Sequence, residues 1–184
     1  MARVPYLEKS DLAPEHCDLL AREITLYKAL AHSPGALKNL SGMGAYIRHK
    51  STLDPKLREL AILQVGWLAR SPYEWSHHVK IGQDFGLNDD DIRAIGDETA
   101  GRPTKLDDLQ KLVLRAAREM TNNLSMTDQT FAALGARLSR EHMIDLTMTI
   151  AFYNAVVRVL ATLQIDVEPE YQKYLDTHPL PKTP

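Results

Sequence analysis

Three helix starts fall within one stretch, residues 53–95: LDPKLRELAILQVGWLARSPYEWSHHVKIGQDFGLNDDDIRAI. Each start has a small polar residue, followed by proline in two cases and by aspartates in the third. Such a residue satisfies free N–H groups at a helix start, and proline at the first helical position loses no hydrogen bond. The stretch therefore predicts helices over about 55–69 and 72–85, and a shorter helix that begins after Asn88.

Apolar residues with helical spacing continue on both sides of this stretch. They predict further helices at about 14–31, 34–47 and 106–120, after Thr127, and from Ser139 to about Leu163. The segment GDETAGRPT, 96–104, has the composition of a loop. Because no strand-like alternation competes, we expect an all-α protein. Its 184 residues suit a single domain, 1–184, built as a bundle of about seven or eight helices.

Composition excludes several classes of function. The chain is 44% hydrophobic and 25% charged, with a net charge of -2. Lys and Arg are spread along it, which disfavours nucleic acid or an anionic membrane as partner. The start lacks a signal-peptide pattern, and the most apolar later stretch is interrupted by Asp145, Asn154 and Arg158. We expect a cytoplasmic protein with no membrane association. The single cysteine, Cys17, rules out an internal disulfide and a CxxC pair.

The chemically reactive residues gather around the helix that starts at Pro72. Glu74 and His78 stand four apart and share one face, with Ser71 at the same edge. Glu59 lies on the preceding helix and would approach His78 if the two helices are antiparallel neighbours. A carboxylate on one imidazole nitrogen fixes the tautomer and leaves the other nitrogen free to exchange a proton. Glu74, His78 and Glu59 are therefore candidates for proton-transfer catalysis without a cofactor.

Structural roles explain some of the same residues. The spacing Ser71-x-x-Glu74 matches a capping box, in which the Glu side chain reaches back to the N-cap N–H. His78 also suits a buried, hydrogen-bonded histidine, and Glu59 a solvated surface charge. No HExxH or second matching pair of ligands occurs, so we predict no metal and no cofactor.

The stretch 53–95 resembles the carboxymuconolactone decarboxylase family within the alkylhydroperoxidase-D-like superfamily. The resemblance rests on R-E-L-A-I-L, then Y-E-W-x-H-H, then a helix ending in G-L before an acidic cap. Residues 145–170 are similar to the family's C-terminal helix and tail, so the resemblance covers most of residues 30–170. It implies an all-helical fold that assembles into homo-oligomers, usually trimers or hexamers, with active sites near subunit contacts.

The resemblance also assigns roles to particular positions. Peroxidase members carry a CxxC pair, where this chain has Ser71 and Glu74; their histidine corresponds to His78 and their glutamate to Glu59. Without thiols, peroxide reduction is disfavoured at this site. Decarboxylase-like members often carry Glu at the second cysteine position, which implies proton-transfer catalysis here.

The implied function is that of a lyase or isomerase acting on a small lactone, enol or carboxylic acid. The alternative is a noncatalytic oligomeric binding or scaffold protein. The expected substrate contacts are Tyr73, Trp75, His77 and Ser71, and the cations that would hold a substrate carboxylate are, without ranking, Arg48, Arg58 and Arg158.

Overall fold

The computed structural model describes residues 2–181, a part of the chain in which no β-strand occurs. Its nine α-helices are α1 (Thr25–Leu30), α2 (Pro34–His49), α3 (Pro55–Leu68), α4 (Pro72–Asp84), α5 (Asp89–Thr99), α6 (Asp108–Asn123), α7 (Asp128–Gly135), α8 (Arg140–Leu163) and α9 (Gln172–Thr177). Three short 3₁₀ helices cover Lys9–Asp11, Pro14–Leu20 and Pro169–Tyr171. The predicted all-α fold is confirmed, and the seven helices of eight or more residues agree with the expected number.

The predicted caps form the starts of α3, α4 and α5. The Asp54 carboxylate accepts a hydrogen bond from the Lys56 N–H at 2.8 Å. The Ser71 hydroxyl accepts a hydrogen bond from the first turn of α4 at 3.4 Å. The Asn88 side chain accepts two hydrogen bonds from the first turn of α5. At the end of α4, Gly86 adopts φ 90°, a left-handed conformation that costs glycine little. These local interactions explain why the starts of these helices are readable from the sequence.

Helix α3 lies at the centre and packs against α4, α5, α6 and α8. Ten consecutive residues of it, from Leu57 to Gly66, are buried. A helix that is buried on all sides must enclose its polar side chains as well, here Arg58 and Glu59. Gly66 lies against α4, because a Cβ added to it would be 3.4 Å from the Trp75 nitrogen. The short turn at 69–71 and this contact make α3 and α4 antiparallel neighbours.

Two sequence expectations about helix bounds are wrong. The single helix expected at 14–31 is broken into a 3₁₀ helix and α1, because Ile24 is extended and the Thr25 N–H donates to Glu168 at 2.7 Å. The loop expected at 96–104 begins only after α5 ends at Thr99. The Thr99 hydroxyl links the end of α5 to its surroundings: it donates to the Ile95 carbonyl at 2.7 Å and accepts from the Gln64 amide of α3 at 3.0 Å.

A C-terminal segment, residues 165–181, folds back over α4. The sequence did not predict its two short helices, Pro169–Tyr171 and Gln172–Thr177, both of which contact α4. The Trp75 indole N–H donates to the His178 carbonyl at 2.6 Å, and His178 Nε2 lies 3.1 Å from Asp89. The segment therefore covers one side of the helix that carries most of the predicted site residues.

Helix α8 has a buried face and an exposed apolar face. By length and composition alone it would suit a membrane span, but nine of its residues are buried inside the fold, as in the core helix of a globular protein. On the opposite face Ile144 and Met148 are 63% and 40% exposed, and Ala151 and Ala155 continue the stripe. These four residues alternate by four and three positions, the spacing of a seam between packed helices.

Candidate active site

A pocket opens between α1, α2, α4 and α8. Its cavity volume is about 50 Å³, and the cavity is partly open to solvent. Apolar side chains such as Leu40 and Phe152 form much of its wall. The charged or titratable histidine, arginine and glutamate side chains that line it are Arg22, Arg48, Glu74, His77 and His78.

A chain of four polar side chains runs behind and into this pocket. Arg58 Nε donates to Glu59 Oε1 at 2.8 Å, and the other oxygen of Glu59 lies 2.6 Å from His78 Nδ1. His78 Nε2 in turn lies 2.9 Å from Glu74 Oε1. All four side chains are buried. The antiparallel packing of α3 and α4 thus brings together Glu59, Glu74 and His78, as the sequence predicted.

The Glu74 carboxylate faces His78 and not the start of its own helix. Ser71 caps α4 by accepting from the Glu74 N–H, but the Glu74 carboxylate pairs with His78 and not with the N-cap N–H. The 2.9 Å contact to His78 is too poorly aligned for a hydrogen bond, since Glu74 Oε1 has no hydrogen-bond partner among the described residues. The Ser71 hydroxyl caps the helix, and the Glu74 side chain lines the pocket beside His78.

Burial and charge together decide the protonation of His78. Burial alone would lower its pKa, but the charges of Glu74 and Glu59 outweigh this and raise the pKa to about 9. Burial alone would raise the pKa of Glu59, but its interactions with His78 and Arg58 lower it. At neutral pH His78 is therefore a cation between two carboxyl groups. One of its N–H groups is committed to Glu59, which leaves the proton on Nε2 beside Glu74.

The expected substrate contacts separate into two groups. Tyr73 and His77 line the pocket, with their rings stacked at 4.1 Å. Ser71 and Trp75 do not line it: Ser71 serves as the cap, and the Trp75 indole packs 5.2 Å from Trp67 on another side of α4. Glu59 also lies outside the wall and reaches the pocket only through His78.

Tyr153 of α8 is a pocket residue that the sequence reasoning missed. Its ring meets His78 edge-on at 4.9 Å, and burial, with the charges of Glu74 and Glu59, raises its pKa well above the ordinary value. The phenol is therefore neutral and keeps its proton. Its hydroxyl makes no hydrogen bond within residues 2–181 and is not fully enclosed, so it is available as a donor in the pocket. Tyr153 lies within an apolar stretch of the sequence, where no pattern indicates that its ring reaches the pocket.

The three candidate cations also differ in position. Arg48 lines the pocket and forms no ion pair with the described residues; its Nε is buried without a partner. Arg58 is already bonded to Glu59 and stacks 4.6 Å from the Phe85 ring. Arg158 is exposed on α8, where it bonds to Asn154. No group of three or more possible metal ligands occurs within the part of the chain that the structure describes.

Comparison with known proteins identifies the sequence pattern. Residues 34–103, which contain α3, α4 and Glu59, Glu74 and His78, match the model of the carboxymuconolactone decarboxylase family. The predicted resemblance to this family is confirmed over these residues. No match is found among curated proteins.

Solved structures of alkylhydroperoxidase AhpD-like proteins share this fold. The core protein from Ralstonia eutropha JMP134, described as peroxidase-related, has a TM-score of 0.81 at 17% identity, covering 98% of each chain. An Agrobacterium tumefaciens protein of unknown function has a TM-score of 0.67 at 19% identity, covering 76% of this chain and 94% of that one. The debrominase Bmp8 has a TM-score of 0.79 at 17% identity, covering 95% of this chain and 97% of that one. At these identities the similarity concerns the fold alone.

The raised pKa of His78 predicts how the stability of the folded protein changes with pH. Because the folded-state value of about 9 exceeds the ordinary 6.5, the stabilisation is complete below pH 6.5 and is lost as pH rises through about 9. Urea unfolding across this window should show falling stability in the wild type and a shallower fall in His78→Gln. His49→Gln, at an exposed histidine, is the control and should keep the wild-type slope. An identical slope in His78→Gln would mean that His78 is not the group that titrates.

Proposed function

We propose that this carboxymuconolactone decarboxylase family member is a cofactor-independent lyase or isomerase that moves protons on a small lactone, enol or carboxylic acid. The observation that carries the proposal is the buried contact of His78 with two carboxyl groups, Glu59 at 2.6 Å and Glu74 at 2.9 Å. Two carboxyl groups and an imidazole beside a small apolar pocket are an acid–base system. The family match supports the reaction class and leaves the substrate open.

The pair Glu74 and His78 holds one mobile proton. His78 Nδ1–H remains with Glu59, which is itself held by Arg58. The proton on Nε2 has Glu74 as its neighbour, so it can pass to the carboxylate or to a substrate atom in the pocket. A base and an acid in direct contact can both remove and return a proton, as lyases and isomerases require.

The net charge of the pocket favours an anionic substrate. With His78 as a cation, the chain from Arg58 to Glu74 sums to zero, and Arg22 and Arg48 then add two positive charges to the wall. Neither arginine has an ion-pair partner within residues 2–181, so a substrate carboxylate would meet an available guanidinium. This ranks Arg48 above Arg58 and Arg158 as the carboxylate-binding cation.

Decarboxylation of γ-carboxymuconolactone illustrates how these groups would act. The bond to the departing carboxylate breaks, CO2 leaves, and the electron pair moves into the lactone carbonyl to give a dienolate. The neutral Tyr153 hydroxyl and the His78 N–H are donors for the developing oxyanion. The proton on His78 Nε2 is then delivered to carbon, either directly or by way of Glu74, which removes the charge from the carbonyl oxygen of the product. The pair takes up a proton from solvent before the next turnover.

The alternative function is a noncatalytic oligomeric scaffold. The exposed stripe of Ile144, Met148, Ala151 and Ala155 on α8 favours association with further copies, and we propose a homo-oligomer for either function. A scaffold has no need for a buried histidine cation between two carboxyl groups, since buried charges are costly to enclose. The site geometry therefore favours the enzyme.

Turnover of γ-carboxymuconolactone and related butenolides tests the proposed function. The wild type should release CO2 and change ultraviolet absorbance, and Glu74→Gln or His78→Gln should each lose at least about 100-fold in kcat, the usual contribution of a general acid or base. Glu141→Gln is the matched control, because Glu141 is an exposed glutamate in the first turn of α8. Folded Glu74 and His78 variants with full activity would refute the proton-transfer role.

The position of Arg48 in the pocket wall leads to a separate prediction about substrate binding. Arg48→Gln should raise KM for a carboxylate substrate roughly 10- to 100-fold with little change in kcat, because it removes one charge-assisted hydrogen bond. Arg158→Gln, on the exposed side of α8, should leave both constants unchanged. Steady-state kinetics on the two variants make the comparison, and an unchanged KM in Arg48→Gln would exclude Arg48 as the anchor.

A further inference from the structure

The pocket contains a second imidazole, His77, whose surroundings differ from those of His78. Its ring lies between two tyrosine rings, Tyr73 at 4.1 Å and Tyr171 at 3.6 Å, both nearly parallel to it. Its Nε2 lies 2.8 Å from Glu168 Oε2. Adjacent residues on α4 therefore place two imidazoles in one pocket wall, each with its own carboxylate partner.

Glu168 belongs to the C-terminal segment and makes three polar contacts besides the one to His77. Its Oε1 accepts from the Thr25 N–H at 2.7 Å, from the Thr25 hydroxyl at 2.9 Å and from the Tyr73 hydroxyl at 3.2 Å. It also pairs with His77 through Oε2. These hydrogen bonds hold the pKa of Glu168 down at about 2 against the opposing effect of burial, so it is a carboxylate that accepts at both oxygens.

The geometry selects one tautomer of His77. An ionised carboxylate has no proton to give, so the 2.8 Å bond requires the imidazole proton on Nε2. The Nδ1 atom then carries a lone pair. Within residues 2–181 this atom makes no hydrogen bond and is not fully enclosed, and His77 lines the pocket. The lone pair is therefore open to a ligand.

The groups around His77 determine its charge. They are Glu168 and Tyr171 from the C-terminal segment and Tyr73, Glu74 and His78 from α4. Burial lowers the pKa of His77 and outweighs the two carboxylates, while the neighbouring His78 cation acts in the same direction. The pocket thus holds one charged and one neutral imidazole.

We propose that Glu168 is a positioning residue that fixes His77 as the Nε2–H tautomer, so that Nδ1 serves as a hydrogen-bond and proton acceptor for the substrate. The inference rests on the proposed function and adds to it a second group, opposite in role to the proton donor His78. It also makes the C-terminal segment part of the site, because the carboxylate that orients His77 comes from 91 residues further along the chain.

A substrate that carries an acidic hydrogen close to its carboxylate fits this arrangement. His77 Nδ1 would accept the proton of a substrate hydroxyl or enol, while His78 with Glu74 supplies a proton at carbon. One proton leaves the substrate for His77 and another is delivered by His78 with Glu74, so the charge of the pocket is unchanged at that point. His77 then gives its proton to solvent and the His78–Glu74 pair takes one up, which restores the starting state. Enols and hydroxy-substituted lactones are the substrates that need both groups.

Ring nitrogen NMR on the ¹⁵N-labelled full-length protein tests the tautomer directly. Long-range proton–nitrogen spectra at pH 7 should show His77 neutral and protonated on Nε2 only, with assignment by loss of the signal in His77→Gln. Glu168→Gln should give a mixture of tautomers, because an amide can either accept from or donate to Nε2. Glu170→Gln, an exposed glutamate on the same segment, should match the wild type.

Kinetics with a butenolide that carries both a carboxylate and an enolic hydroxyl provide the second readout. Glu168→Gln should lower kcat roughly 10- to 100-fold, as expected for loss of a group that orients a functional histidine, with KM little changed. An Nδ1–H tautomer or a charged His77 in the wild-type spectrum overturns the inference even if no variant turns over. Full kcat in Glu168→Gln beside an inactive Glu74→Gln overturns it while leaving the proposed function intact.

Discussion

The site depends on the pairing of His78 with Glu59, at 2.6 Å, across two antiparallel helices. Burying either group alone would be expensive, because an isolated charge loses its hydration. Arg58 on one side and Glu74 on the other complete a chain whose charges cancel. Compensation of this kind explains how α3, buried on all sides, carries an arginine and a glutamate. It also explains why a histidine cation persists beside a mostly apolar pocket.

The same pairing places the two carboxyl groups differently relative to the pocket. Glu59 has no contact with the pocket and holds the imidazole by Nδ1, whereas Glu74 lines the pocket and meets Nε2. In the proposed mechanism one carboxylate therefore orients the imidazole and the other exchanges the proton. Ser71 supplies the helix cap with its own hydroxyl, so the Glu74 side chain is not needed there. Capping and proton transfer are compatible in one helical turn because different atoms perform them.

Local sequence signals predict α3, α4 and the core of the site well. Small polar caps with proline determine the helix starts, and the spacing of four between Glu74 and His78 determines their shared face. Long-range contacts are what the sequence does not reveal. The Thr25 N–H, at the break before α1, donates to Glu168, which lies 143 residues further along the chain. Tyr153 likewise reaches the pocket only through the packing of α8 on the core.

The central claim is that His78 carries two protons and lies between the carboxyl groups of Glu59 and Glu74, with Glu59 ionised. Neutron diffraction from a deuterium-exchanged crystal at neutral pH measures this most directly, because deuterium is visible on each ring nitrogen and each carboxyl oxygen. The account predicts deuterium on both Nδ1 and Nε2 of His78 and none on Glu59. A neutral His78 ring with deuterium on Glu59 would contradict it, because no mobile proton would then be stored on the imidazole beside the pocket.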